Sequence, residues 1–498
     1  MDTAPVLVLV RIAPEIATKA RRTRLRFQQR LQANIADALR SAGMAFEIDG
    51  RWSRLLVTAE DVSAARRVAA IFGVSSVSVV EARLSASLSE VVREGERLYA
   101  GRVRDKAFAV EVRRAGEFSF TSRDVKVELG AALNEYGRVN LDQPDVTVTV
   151  ELRDGEAFLY TERIAGVGGL PLGVQGRAVC LISGGFDSAV AAWLMLKRGL
   201  ALDYVFCNVG GDAYERSVLS VAKILAEAWS FGDRPRIHVV NFDEVVAGLR
   251  KSVQARYWQV VLKRLMYRAG EAVARETDAE AVVTGESLGQ VSSQTLGNLR
   301  AIDDVATLPF FRPLLGMDKT EIIAKAEAIG TAAVSAHVRE YCAILPDRPV
   351  THAKPHAARN EEARLDLEVV DRAVAARKML DLRALEPIDL VRPYIFADEI
   401  PAGAVVLDCR EPHHYGAWHY PGARRYDVDD LGAGFRRLDK SATYILYCTY
   451  GVQTAYVAEV MQRAGYEVYS FRGGAKGIRR YAEERRNDPV VGSVTGAS

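Results

Sequence analysis

The sequence predicts a multidomain protein of α/β and α+β architecture that includes a doubly wound parallel sheet. Three observations support this class. The chain has 498 residues, a length typical of about three domains. Apolar segments of strand length alternate with helix-length segments between about residues 178 and 384. The same alternation begins again after a proline-containing linker at 385–403, which indicates a further small α/β domain.

The first 170 residues favour a mixture of strands and helices. The segment VLVLVRI predicts a strand, followed by a basic helix to about Arg40 and by the strands FEIDG and RLLVTA. Further along, AFAVEVRRAG and the alternating DVTVTVELRDG also predict strands. The helix between them has Thr121 or Ser122 as its N-cap and ends at Gly137. The glycine-rich stretch at 166–173 is a predicted connector.

The overall composition is that of an ordinary globular protein, with 49% hydrophobic and 26% charged residues and a net charge of +2. Charge is uneven, however, because residues 11–30 contain seven basic side chains and one acid, Glu15. Such a cluster forms either a phosphate-binding face or a solvated helix face. The basic residues are Arg11, Lys19, Arg21, Arg22, Arg24, Arg26 and Arg30.

Cysteine usage and hydropathy point to a reducing compartment. Five cysteines in a chain of 498 residues do not form a disulfide scaffold. The N-terminal segment lacks the pattern of a signal peptide, and no apolar run approaches the ~20 residues of a membrane span. We therefore expect a cytoplasmic protein without membrane association.

The most informative segment is CLISGGFDS, at residues 180–188. A strand runs into a loop with two glycines, and a helix follows. Glycines let successive backbone N–H groups point into one concavity, where they and the helix N-terminus favour a pyrophosphate. Asp187 can hold Mg²⁺ or accept hydrogen bonds within the loop. The alternative is a tight strand-to-helix turn. The candidate phosphate-binding residues are Ser183, Gly184, Gly185, Asp187 and Ser188.

A second segment, VTGESLGQVSSQTLGNL at 283–299, follows another predicted strand and is rich in hydroxyl and amide groups. It could contact adenine and ribose, or hold a loop at the strand ends, where ligands bind in such sheets. Lys263, Arg264 and Lys319 are candidate phosphate cations, although any one lysine taken alone is more readily explained as a solvated side chain.

Cys448 lies between a predicted strand and a predicted helix in YILYCTYGVQTA. The loop Cys448–Thr454 can wrap its N–H groups around the sulfur, and these donors with the helix N-terminus stabilise a thiolate or persulfide. The alternative is a small buried apolar residue. Cys342, His352 and His356 do not supply the four ligands of a zinc site, so no metal site is predicted.

These motifs resemble known families. The loop is similar to the S-G-G-x-D-S loop of ATP pyrophosphatases, and the segment 407–423 (LDCREPHHYGAWHYPGA) resembles rhodanese. Nearly the whole chain resembles the tRNA 4-thiouridine synthetases, through 180–188, 283–303, 312–323 and 340–344. The resemblance implies a ferredoxin-like domain at 1–60, a THUMP RNA-binding domain at 61–170, a PP-loop ATP pyrophosphatase domain at 171–390 and a rhodanese-like domain at 398–490.

The resemblance also implies roles. ATP would adenylate O4 of uridine 8 in tRNA, with Mg²⁺ as cofactor, and Asp187 and Lys319 match positions tied to this activation. Cys448 would carry sulfur from a cysteine desulfurase. Cys342 would either free sulfide from the persulfide or resolve a mixed disulfide with the RNA, and both routes leave a Cys342–Cys448 disulfide that must be reduced. The implied nucleotide contacts are Leu181, Ile182, Phe206, Cys207, Lys263, Gly285 and Gln294.

One departure and three alternatives qualify this interpretation. Many rhodanese loops have arginine where this sequence has Gln453, which argues against efficient turnover of thiosulfate but leaves the backbone donors intact. The protein could instead, or in addition, deliver sulfur to a thiazole-pathway carrier protein in thiamine biosynthesis. An RNA-binding protein with decayed catalytic parts, or a small-molecule amidating synthetase, would leave several of these motifs without a purpose.

Overall fold

A computed structural model describes residues 5–51, 54–209, 211–336, 348–386, 395–449 and 451–486. Cys342 lies outside the described residues. The chain divides into two compact units. The first contains residues 1–176 with the short pieces 196–201 and 229–233, and the second contains the remainder. Within the described residues, no helix combines the length and apolar composition needed to cross a membrane.

The first unit contains two five-stranded sheets. The first sheet is antiparallel at each of its pairings. Its strands, in spatial order, are Ile164–Ala165, Val74–Val80, Val6–Ile12, Arg54–Ala59 and Phe46–Arg51. Its helices are Pro14–Ala17, Arg21–Ser41 and Ser63–Ala69. The predicted strands and basic helix of this region are confirmed.

The position of the strand Val74–Val80 corrects the predicted division at residue 60. This strand pairs with Val6–Ile12, and the pairs include Val10 with Val77. Both of these valines are fully buried in one core with Leu31 of the basic helix. The division at residue 60 therefore falls inside this sheet, because the strand that completes its core comes after the helix Ser63–Ala69.

The second sheet of this unit mixes parallel and antiparallel pairs. The N-cap of the helix Ser122–Asn134, which packs in this part of the fold, is Thr121 rather than Ser122. The Thr121 hydroxyl accepts from the Asp124 amide at 3.2 Å, and the Asp124 carboxylate accepts from the Thr121 amide at 2.7 Å. The strands, in spatial order, are Ala82–Ser85, Glu156–Tyr160, Val146–Arg153, Ala107–Ala115 and Arg138–Val139. The helices are Leu88–Val103 and Ser122–Asn134.

The second unit contains a six-stranded sheet and a five-stranded sheet. The larger sheet has parallel pairings and an antiparallel edge strand, Lys378–Asp381. Its strands, in spatial order, are Phe310–Phe311, Val282–Val283, Arg177–Leu181, Ala201–Asn208, Arg236–Asn241 and Lys378–Asp381. Its helices are Phe186–Lys197, Gly211–Trp229, Asp243–Ser252, Trp258–Glu276, Leu296–Asp303, Lys319–Ala328, Ala332–Ser335, Pro355–Glu362 and Glu368–Ala375.

The strand order creates a topological switch point. From Arg177–Leu181 the chain moves to Ala201–Asn208 on one side, whereas from Val282–Val283 it moves to Phe310–Phe311 on the other. Connections that leave neighbouring strands in opposite directions open a crevice at their carboxyl ends, where ligands bind in α/β sheets. The two motifs at 183–188 and 284–294 follow these two strands.

The last sheet is parallel at each of its pairings. This arrangement agrees with the small α/β domain that the sequence predicts. Its strands, in spatial order, are Phe396–Ala397, Glu467–Phe471, Thr443–Tyr447, Val405–Asp408 and Arg424–Arg425. Its helices are Pro412–Ala417, Val428–Gly434, Val452–Arg463 and Gly474–Arg486.

Candidate active site

A cavity of about 520 Å³ lies at the switch point of the six-stranded sheet. Of the residues predicted to bind a nucleotide, Gly184 and the candidate phosphate cations Arg264 and Lys319 are not among its lining, whereas the others are. Gly184 lies in the same loop, with a φ of 75° that only glycine adopts without strain. The lining residues from that prediction are Leu181, Ile182, Ser183, Gly185, Asp187, Ser188, Phe206, Cys207, Lys263, Gly285 and Gln294.

The loop at 183–188, which follows the strand Arg177–Leu181, is held by hydrogen bonds of its own serine residues. The Ser188 hydroxyl accepts from the Ser183 amide at 3.2 Å and donates to the Gly185 carbonyl at 3.2 Å. The helix begins at Phe186, immediately after the second glycine. These contacts fix the loop around the helix N-terminus, the arrangement that favours a phosphate group.

Gly285 brings the second motif against this loop. A Cβ atom at Gly285 would lie 2.8 Å from the Ser188 amide nitrogen and 2.9 Å from the Asp187 carbonyl carbon. Both are backbone atoms, which cannot move aside as the end of a side chain can. Glycine is therefore required here for the close approach of two backbone segments.

Asp187 and Lys319 are in direct contact. The Lys319 ammonium lies 3.0 Å from each oxygen of the Asp187 carboxylate, and the Gln290 side-chain amide donates to the same carboxylate at 3.0 Å. Lys319 opens its helix after the N-cap Asp318, whose carboxylate accepts from the Glu321 amide at 2.9 Å. The two residues matched to activation thus meet at one place, beside the 183–188 loop.

Lys263 faces a buried carboxylate that the sequence analysis missed. Its ammonium lies 3.6 Å from Glu286, and Arg312 lies 3.6 Å from the other oxygen of that carboxylate. Glu286 is only 3% exposed. A charged residue directly after Gly285 in the motif was the available signal, but its burial between two cations could not be inferred locally.

Arg264 does not serve as a phosphate cation, contrary to the prediction. Its side chain is 1% exposed and donates to Glu362 at 2.6 Å. It also donates to the backbone carbonyl of Ala301. On the helix Trp258–Glu276, neighbouring positions face different directions, so Lys263 lines the cavity and Arg264 enters the core.

One wall of the cavity is apolar. Phe206 is 1% exposed and makes an edge-to-face contact with Tyr214, with ring centroids 5.0 Å apart. The Tyr214 hydroxyl donates to the Ser183 carbonyl at 3.0 Å, which couples this wall to the loop. Burial raises the pKa of Cys207 to about 12, so this residue is a neutral thiol in the cavity wall rather than a nucleophile.

The second candidate centre is Cys448, which follows the strand Thr443–Tyr447. Its side chain is buried, and the Thr454 hydroxyl donates to its sulfur at 3.5 Å. Gly451, with a φ of 78°, turns the chain into the helix Val452–Arg463. The predicted strand and helix around the cysteine are confirmed, but the helix begins at Val452, so Thr454, which was predicted to end the loop, lies in the helix.

The rhodanese-like motif LDCRE has a structural role beside this loop. The buried Asp408 accepts from Arg410 at 2.8 Å and from the Tyr447 hydroxyl at 2.6 Å. Tyr447 directly precedes Cys448, so the network fixes the strand end that carries the thiol. Cys409 is buried next to Cys448, and both burial and this neighbour raise its pKa. It belongs to the core, and Cys180 is likewise buried.

The basic cluster near the N-terminus is divided by the fold. Arg11 is buried and donates to Glu151 at 2.9 Å, and Arg30 donates to the backbone carbonyls of Leu172 and Gly232. Both therefore stabilise the first unit. The exposed members of the cluster include Arg21, Arg22 and Arg26 on the basic helix.

A sheet with a phosphate-type loop at its switch point, joined in one chain to a rhodanese-like fold, defines a nucleotide-dependent sulfurtransferase class. Comparisons agree. The chain matches the family models "ThiI ferredoxin-like domain" at residues 7–78, "THUMP domain" at 86–162, "Thiamine biosynthesis protein (ThiI)" at 173–367 and "Rhodanese-like domain" at 393–481.

Relatives are similar over nearly the full length. The tRNA sulfurtransferase of Pyrobaculum aerophilum is 38% identical over 478 residues, covering 94% of this chain and 96% of that protein. The tRNA sulfurtransferase of Desulfurococcus amylolyticus is 36% identical, and the match covers 96% of this chain and 99% of that protein. A solved 4-thiouridine synthetase–RNA complex with bound ATP is 32% identical, with a TM-score of 0.67, covering 76% of this chain and 99% of that one. The chain belongs to the tRNA sulfurtransferase family, and the family resemblance is confirmed.

Proposed function

We propose that this protein uses ATP to activate uridine 8 of tRNA and then replaces its O4 with sulfur carried by Cys448. The observation that carries the proposal is the presence of two complementary centres in one chain. A phosphate-type loop lines a 520 Å³ cavity, and a buried cysteine loop lies in a rhodanese-like domain. The solved relative with RNA and bound ATP supports both proposed substrates.

In the proposed ATP complex, the N–H groups of the 183–188 loop hold the phosphates and the apolar wall at Phe206 contacts the base. Lys263 and Lys319 supply positive charge. Lys319 is paired with Asp187, so its ammonium group already lies beside the loop. When ATP binds, this ammonium can exchange the Asp187 carboxylate for a phosphate oxygen as its ion-pair partner. The freed Asp187 carboxylate fits the oxygen preference of Mg²⁺, which would neutralise phosphate charge.

The proposed first step forms an adenylated uridine. O4 of the uracil attacks the α-phosphorus of ATP, the bond to the β-phosphate oxygen breaks, pyrophosphate leaves, and the N3 proton of the uracil passes to solvent. The ring is now activated at C4, because AMP is a far better leaving group than the original oxygen. The loop, Lys263 and Lys319 stabilise charge that develops on the phosphates.

The proposed second step uses sulfur loaded on Cys448 as a persulfide by a cysteine desulfurase. Sulfur adds at C4 and AMP leaves. Cys342 either frees sulfide from the persulfide or resolves a mixed disulfide with the RNA. Both routes end in a Cys342–Cys448 disulfide, and a reductant must open it before another turnover.

We assign RNA binding to the first unit, in which residues 86–162 match a THUMP domain. The exposed arginines Arg21, Arg22 and Arg26 lie on one helix and are suited to phosphate contacts. Binding through phosphates weakens as salt rises, because counterions compete for the same charges.

The direct test incubates the protein with unmodified tRNA, Mg-ATP, cysteine, a desulfurase and reductant. Digested RNA is then analysed for 4-thiouridine by mass spectrometry. We expect the product at position 8 with wild type and none with Cys448→Ala. A tRNA with cytidine at position 8 is the substrate control, and thiolation elsewhere in that RNA would contradict the assignment. With Cys342→Ala, we expect Cys448 to accept sulfur while multiple turnover stops under weak reductant.

A second candidate function is favoured by the matching family model described as a thiamine biosynthesis protein. In this alternative, Cys448 passes sulfur to a thiazole-pathway carrier protein. Sulfur on Cys448 without any thiouridine, followed by transfer to such a carrier, would favour it over RNA thiolation.

A further inference from the structure

Two buried hydroxyl groups lie in series behind Cys448. Thr454, in the helix after the loop, and Ser470, in the neighbouring strand, are both 0% exposed. The Thr454 hydroxyl lies 3.5 Å from the Cys448 sulfur and 2.9 Å from the Ser470 hydroxyl, which in turn lies 3.4 Å from the Gly451 carbonyl. Sulfur, two hydroxyls and a carbonyl therefore form one chain of contacts.

Each hydroxyl has a single proton to donate, and two of the possible arrangements run along the whole chain in one direction. When the sulfur is a neutral thiol, it donates to Thr454, Thr454 donates to Ser470, and Ser470 donates to the Gly451 carbonyl. When the sulfur is charged, Ser470 donates to Thr454 and Thr454 donates to the sulfur. The second arrangement offers the anion a hydrogen bond without moving any heavy atom.

We propose that Thr454 is a further catalytic residue, whose hydroxyl donates a hydrogen bond to the charged sulfur of Cys448, and that Ser470 is the positioning residue that orients it. This inference rests on the proposed sulfur route. It also explains how the loop functions with Gln453 instead of a cation: a buried hydroxyl donor reaches the sulfur from the helix. Hydrogen bonds to charged acceptors are stronger than neutral ones.

The step that the Thr454 hydroxyl assists is the loading of sulfur onto Cys448. The Cys448 thiolate attacks the terminal sulfur of a donor persulfide, forming a new S–S bond. The S–S bond of the donor breaks, and its electron pair remains on the donor thiolate, which takes up a proton from solvent. Thr454 stabilises the attacking thiolate before the step and the ionised persulfide after it.

The test compares Thr454→Val, which removes the hydroxyl at constant size, with Thr454→Ser, which retains it. Glutathione persulfide is the donor, and the mass of the Cys448 peptide is followed with time at fixed pH. We expect Thr454→Val to load roughly fivefold more slowly, since part of the lost stabilisation is offset by the greater nucleophilicity of a more basic thiolate. Thr454→Ser should load like wild type, and Ser470→Ala should fall between.

Thr443→Val, in the strand before Cys448, is the matched control. Equal loading by Thr454→Val and wild type would overturn the inference, as would an equal loss in Thr454→Ser, which would indicate a packing role. Alkylation of Cys448 by iodoacetamide provides a second measurement that needs no persulfide. One combination of results separates the two ideas. If wild type does not load sulfur, and Thr454→Val is the only variant whose Cys448 is alkylated slowly, the inference about the hydroxyl stands and the proposed sulfur route fails.

Discussion

Replacing Gly285 with alanine tests whether close backbone contact shapes the phosphate loop. The added Cβ would lie 2.8 Å from the Ser188 amide nitrogen, 2.9 Å from the Asp187 carbonyl carbon and 3.0 Å from the Ser188 Cα. These distances are about 0.5–1.2 Å shorter than optimal contacts between such atoms. Either the segment after Val282–Val283 or the loop must therefore move.

The expected cost follows from this overlap. Overpacking of this kind destabilises a protein by about 1–3 kcal/mol. If the strain is relieved by displacing the loop, the same energy is lost from ATP binding, and each 1.4 kcal/mol is about a tenfold change. We expect kcat/KM for ATP to fall about tenfold or more, with a modest decrease in thermal stability.

The assay is pyrophosphate release with unmodified tRNA over a range of ATP concentrations, accompanied by thermal unfolding. The matched control is Gly248→Ala in the helix Asp243–Ser252, where the new Cβ meets only the Leu365 side chain at an ordinary 3.5 Å. We expect the control to keep normal kinetics. Normal ATP kinetics and unchanged thermal stability in Gly285→Ala would refute the reasoning.

Three other predictions follow from named contacts. Asp187→Ala should abolish pyrophosphate release while sulfur loading on Cys448 continues, and joint loss of both would contradict separate centres. Arg11→Met should lower the free energy of unfolding, measured by denaturant titration, by about 3 kcal/mol, because it leaves the 2%-exposed Glu151 carboxylate with one fewer cation. The double variant Arg11→Met with Glu151→Leu should recover part of this loss. No recovery would argue against the ion pair. Although burial raises the pKa of Glu151, the guanidinium groups of Arg11 and Arg54 hold it below its usual 4.5, so this stability is present above pH 4.5 and is lost in more acidic solution. Burial and the adjacent Arg377 lower the pKa of His238 from 6.5 to about 4, so the folded state favours the neutral imidazole. The free energy of unfolding should therefore fall as the pH decreases from 6.5 to 4. If His238→Gln shows the same pH dependence as wild type, this residue is not the cause.

Local features of the sequence were sufficient for much of the fold. The alternation of valine and threonine in 146–150 predicted a strand that the structure has at Val146–Arg153. The cap at Thr121 was one of two candidates, and its side-chain hydrogen bond selected it. The glycines and serines of 183–188 predicted a loop between a strand and a helix, which the structure has between Arg177–Leu181 and Phe186–Lys197. Such patterns succeed because backbone dihedral preferences and side-chain periodicity act over a few residues.

The sequence by itself determined the strands, the loop and the nucleophile candidate, whereas tertiary structure decided which groups meet. Lys319 contacts Asp187 across 132 positions, and the hydroxyls of Thr454 and Ser470 meet across 16. Neither pairing has a local signal. The same holds for the strand Val74–Val80, which completes a sheet beyond the expected division, and for the burial of Arg264. Contacts between distant segments depend on strand order and helix packing, and only the folded chain sets these.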